Sequence, residues 1–130
     1  MSYYIETRVD KPFATVVDTA VASLAEAGFG VLSDIDVAAT LKMKLGVDLP
    51  PYRILGACNP KLAHQALEHE DNLGVLLPCN VIVREDAGKV VVAAVDPVVQ
   101  LSKTGNVELE PLARQVRELL AGAIAKIGKA

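Results

Sequence analysis

The sequence predicts an α+β fold: a two-layer sandwich with a mostly antiparallel sheet and helices on one face. Three observations carry this. Strand-like and helix-like periodicities alternate through the first half of the chain, two apolar strands meet at Asp86-Ala87-Gly88 as a hairpin, and a long amphipathic stretch follows. The predicted order is β-α-β-α-β-α-β-β-β-α, in a single domain over residues 1–130.

Residues 3–9 alternate, with Ile5, Thr7 and Val9 on one face and Tyr4, Glu6 and Arg8 on the other, the period of a half-exposed strand. Asp10 is the expected N-cap of the first helix, with Pro12 in its first turn. Phe13, Val16, Val17, Ala20, Val21 and Leu24 then recur at helical spacing until Gly28 ends the helix. Residues 29–35 read as a second strand, and Asp36 caps a shorter helix that carries Val37, Leu41 and Leu45 and stops at Gly46. Asp48-Leu49-Pro50-Pro51 makes a rigid connector, because proline fixes φ and holds the preceding residue extended.

A third strand follows over residues 52–57. Asn59 is the N-cap of a third helix with Pro60 at its first position, and Ala63, Ala66 and Leu67 supply the buried face. Asp71, Asn72 and Gly74 break that helix. Residues 75–77, 81–85 and 89–95 read as strands, residues 102–106 as a polar loop. The last helix starts near Pro111 and presents Leu112, Val116, Leu119, Leu120, Ala123 and Ile127 on one side.

Composition limits the function classes. The chain is 52% hydrophobic, with a mean hydropathy of +0.34, yet only 4% aromatic and without tryptophan, so its core is aliphatic. Val90 to Val95 is apolar on both faces while helices cover only one, which predicts a homodimer that buries the other. A net charge of -3 with no Lys/Arg cluster excludes nucleic acid as a partner. No segment has the roughly 18 apolar residues of a membrane span, and no secretory leader is recognisable, so a cytoplasmic location is expected and the two cysteines are expected as reduced thiols.

The residues that could carry chemistry gather in Cys58-Asn59-Pro60 and Pro78-Cys79-Asn80, each at a helix or strand boundary. Cys58 stands just ahead of a helix N-terminus, where partial positive charge favours a thiolate; the competing reading makes both cysteines small core residues. Zinc on Cys58, Cys79, His64 and His69 has unsupportive spacing, so no metal and no cofactor is assigned. Asp34 and Asp36 share one side of a strand; either they hold a cation or proton together, or Asp36 is a cap and Asp34 is solvated. Phosphate-loop, nucleophile-elbow and zinc-protease motifs are missing.

Asp34-Ile35-Asp36, the run from Thr40 to Val47, the run from Tyr52 to Pro60, Leu76-Leu77-Pro78-Cys79-Asn80-Val81 and Asp96-Pro97 together resemble the domain of unknown function family 302 over nearly the whole chain. The resemblance implies small stand-alone bacterial or archaeal proteins, a compact α+β fold, a dimer, and no established activity. Its recurrent positions fall on Asp36, Gly56, Cys58, Asn59, Pro60, Pro78, Cys79, Asp96 and Pro97.

The expected function is binding of a small, anionic or electrophilic molecule near the two cysteine segments, with Asn59, Asn80 and Asp96 orienting it, Asp36 nearby, and Lys42 or Lys44 supplying charge. Two alternatives stand beside it. One is a thiol enzyme or redox sensor with Cys58 as nucleophile and Cys79 as resolving thiol; the other is a structural or partner-binding module that uses the uncovered sheet face.

Overall fold

The computed structural model describes residues 2–130. Strands β1 (Tyr4–Val9), β2 (Gly30–Asp36), β3 (Tyr52–Cys58), β4 (Cys79–Asp86) and β5 (Lys89–Val95) form one sheet in the order β1-β5-β4-β3-β2, with every neighbouring pair antiparallel. The helices are α1 (Phe13–Glu26), α2 (Val37–Leu45), α3 (Pro60–His69), α4 (Pro97–Ser102) and α5 (Glu110–Lys129). The α+β sandwich expected from the sequence is present.

Alternation assigns the two faces. Val9, Leu55, Val81, Val83, Val90, Val92 and Ala94 point to one side and, with α1 and α5, build the aliphatic core. Ser23 in α1 donates to the Ala123 carbonyl of α5 at 2.9 Å inside this layer, and Lys126 pairs with Glu26 at its rim. Helix α5 lies close on β1: a Cβ at Gly128 would collide with the Thr7 side chain.

The other face carries Tyr4, Glu6, Arg8, Tyr52, Ile54, Asn80, Ile82, Arg84, Val91 and Ala93 around a groove of about 440 Å³. Val91 is nonetheless fully buried there. Its register partners are Arg8 and Arg84, whose stems flank it, while Asp86 holds the Arg8 head at 3.1 Å.

Turn and cap chemistry follows the sequence closely. Ala87 and Gly88, both at positive φ, make the two-residue hairpin turn between Asp86 and Lys89. Asp36 and Asn59 accept from Ala39 N–H and Leu62 N–H as N-caps, and Gly46 ends α2 at φ 69°. Asp34 is paired with Arg53 across β2 and β3, which holds its carboxyl below the usual carboxylate range. The stability this adds is present above the ordinary aspartate pKa and is lost as pH falls through the lowered folded-state value.

Three elements differ from the sequence reading. Residues 75–77 are not a strand: Asp71–Leu76 winds as a 3₁₀ helix, because three apolar residues are too few to pair once Leu73 anchors the turn in a core. Residues 97–102 form a helix, α4, which takes in Ser102, the first residue of the expected polar loop. Asp10 does not cap α1, whose N-cap is Pro12 without a side-chain bond.

Candidate functional site

Strand β3 ends at Cys58 and runs straight into α3, while β4 begins at Cys79 beside it. Ala57 is the direct register partner of Cys79, so the two cysteine segments are adjacent across the sheet. Beside them lies a cleft of about 260 Å³ lined by both cysteines and Asn59, with Phe29 and residues of α3, α4 and α5.

The cleft has a packing origin. One hydrophobic cluster, containing Phe29, Leu62, Cys79 and Val116, sits between the sheet and the long helices; a second, containing Ala66, Leu73, Leu101 and Leu109, ties α3 and α4 to α5. The two do not merge, although Leu112 packs against both, and the cleft is the seam between them. Among the described residues no charged side chain lines it.

The two thiols differ. Strand alternation puts the Cys79 side chain on the helix-covered face with Ala57, while Cys58, the last residue of β3, lines the cleft beside it. Burial pushes the Cys79 thiol up to about 11, and the neighbouring Cys58 adds to the rise, so Cys79 stays protonated and inert at neutral pH. Cys58 is half-buried at the cleft and Cys79 is 8% exposed. Asn59 is committed to its cap: Oδ1 accepts from Leu62 N–H at 3.1 Å, and Nδ2 lies where a Cβ on Gly28 would touch it at 3.0 Å.

The remaining candidates lie elsewhere. Asp36 pairs with Arg53, five residues back along β3 from Cys58, roughly 17 Å away at the usual rise of a strand. Lys42 is exposed and bound to Asp48 at 2.8 Å, and Lys44 is exposed on the same helix, none of whose residues is buried. Asn80 lines the open-face groove. Asp96 is buried and fully engaged: Oδ1 accepts from Val98 N–H at 2.9 Å as the α4 cap, and Oδ2 accepts from Arg117 Nε at 2.9 Å. Of the proposed ligand-binding set, the structure gathers Cys58, Asn59 and Cys79 at the cleft and leaves Asp36, Lys42, Lys44, Asn80 and Asp96 outside its lining.

Residues 5–127 match the family described as Domain of unknown function DUF302. The chain belongs to the DUF302 family. Among solved structures, a crystal structure of uncharacterized conserved protein DUF302 from Bacillus stearothermophilus is 25% identical, superposes with a TM-score of 0.92, and is matched over 98% of this chain and 99% of that one. No curated protein matches the chain.

In this DUF302 chain the polar residue of the cleft that sequence reading missed is Gln100, on α4. Its Nε2 donates to the Leu76 carbonyl at 2.7 Å, while Oε1 is sealed from solvent without a partner. Flipping the amide would set oxygen against oxygen, so the Leu76 carbonyl fixes the orientation. An unpaired buried acceptor costs about 1–3 kcal/mol. The signal for it was present: Asp96-Pro97 repeats the cap-plus-proline pattern of Asn59-Pro60, and it starts the helix on which Gln100 is the polar residue between Val99 and Leu101.

Proposed function

We propose that this DUF302 protein binds a small, uncharged, mainly apolar molecule in the cleft where β3 ends and β4 begins. The observation that carries the reading is the cleft itself, an apolar seam between two hydrophobic clusters with Gln100, Asn59 and the cysteines as its polar points. The positive charge expected from Lys42 and Lys44 is not at this cleft, which turns the reading from an anionic ligand to a neutral one. The thiol-enzyme alternative receives less support, because a resolving thiol must ionise and Cys79 is held protonated.

Titration calorimetry with para-propylphenol tests the proposal. A cleft of about 260 Å³ accommodates about ten non-hydrogen atoms, scaling from a cavity of about 150 Å³ that holds benzene. A ligand of that size binds with a dissociation constant on the order of 0.1 mM. Ala63 lines the cleft outside both buried clusters, so Ala63→Phe fills the space and abolishes the heat without disturbing either core. Absence of binding to the wild type, or equal binding to the blocked variant, overturns the reading.

The assembly that fits the open face is a second copy of the chain in the cytoplasm, the compartment that two free thiols favour. Tyr4 and Ile35 are exposed on this face, and Met43 and Leu45 on α2 are 79% and 70% exposed. Sedimentation at micromolar protein is expected to give twice the chain mass, and a monomer across that range removes the dimer.

A further inference from the structure

We infer that the ligand of the cleft carries a neutral hydrogen-bond donor, a hydroxyl or an amide N–H, which it delivers to Oε1 of Gln100; this rests on the cleft being a binding site. Three observations define the class. The wall is uncharged among the described residues, which disfavours carboxylates, phosphates and ammonium groups, whose desolvation nothing there offsets. The volume sets the size at about ten non-hydrogen atoms. The third is the amide of Gln100.

Oε1 of Gln100 is, among the described residues, the one buried side-chain oxygen or nitrogen without a hydrogen-bond partner. Its surroundings hold it that way. The Nε2 end is anchored on the carbonyl of Leu76, so the side chain cannot swing to solvent without giving up that bond. The residue lines both the cleft and the open-face groove and therefore stands in the wall between them. Oε1 is closed off from both spaces as the amide stands, and rotation about the soft terminal bond of glutamine is what brings it to the surface of the cleft, toward a molecule seated against α4. An acceptor with no donor partner selects for a donor on the ligand. An ether or a hydrocarbon of equal shape fills the cleft and leaves the oxygen orphaned.

Matched probes test this in the intact protein: para-propylphenol, para-propylanisole and para-propylbenzoate share a frame and differ in offering a donor, no donor, or a negative charge. The expected result is about tenfold tighter binding of the phenol than of the anisole, with the benzoate weaker than both. Gln100→Met, close in size, reduces the phenol to the affinity of the anisole and leaves the anisole unchanged. Should that variant fail to fold, the wild type decides: the side-chain NH₂ signals of Gln100 shift with the phenol and stay in place with the anisole.

Equal binding of phenol and anisole overturns the inference and leaves the cleft standing as a site. Binding of the benzoate as tight as that of the phenol overturns its neutrality. Binding of none of the three removes both the inference and the functional reading beneath it. Shifts confined to Tyr52 and Ile82 place the donor contact in the groove and refute its assignment to the cleft.

Discussion

Phe29→Ala is expected to lower stability by about 4 kcal/mol, read as a shift of the denaturation midpoint with an unchanged slope. Phe29 is 1% exposed, stands among the largest fully buried side chains, and belongs both to the main cluster and to the cleft lining. Removing its ring costs the lost transfer of apolar surface and leaves a void that opens into the existing cleft. The enlarged space then admits ligands bulkier than the wild type accepts, so stability and selectivity change together. Phe29→Leu keeps most of the volume and is expected to cost about 1–2 kcal/mol. A loss below about 1 kcal/mol for Phe29→Ala would mean that the ring is not packed as described.

Asp96→Ala has the second-largest expected effect, about 2–3 kcal/mol. It removes the cap bond to Val98 N–H, worth about 1 kcal/mol, and strips Arg117 of its carboxylate partner. The Arg117 side chain is 45% exposed, so solvent screens part of that pairing. Asp96→Asn keeps an acceptor for the cap and loses the charge, and is expected to cost about 1 kcal/mol. Because α4 carries Gln100 and Leu101, loosening its start also weakens one wall of the cleft. Ligand affinity should therefore fall in Asp96→Ala well below the melting range. Unchanged affinity in that variant would show that α4 does not shape the site.

Much of the fold was legible because local and global signals agree. The alternation of Ile5, Thr7 and Val9 matches the face that α5 covers, Asp36 and Asn59 cap the helices they precede, and Ala87-Gly88 turns the hairpin. The adjacency of the two cysteine segments is set by the antiparallel pairing of β3 with β4, which puts Ala57 opposite Cys79 and which no local pattern specifies.

What was illegible has physical reasons. Val75, Leu76 and Leu77 look like a strand, but such a short run carries no period, and burial of Leu73 decided for a tight helical turn. Helix α4 follows so closely on an apolar strand that its six residues show no separate periodicity; only the Asp96-Pro97 cap marks it, and Gln100 was hidden with it. The spread of charged candidates was beyond local reasoning. Asp36, Lys42 and Lys44 sit near the far end of β2, and only the register of β2 on β3 sets their distance from Cys58.

The alkylation rate of Cys58 in the native protein at neutral pH reports most directly whether a molecule occupies the space beside that thiol. Cys58 is expected to react while Cys79 waits for unfolding. Saturating para-propylphenol should slow the Cys58 reaction several-fold in the wild type, and should leave it unchanged in Ala63→Phe. A Cys58 rate indifferent to bound para-propylphenol, or a Cys79 that labels as readily as Cys58 in the folded chain, would contradict the account.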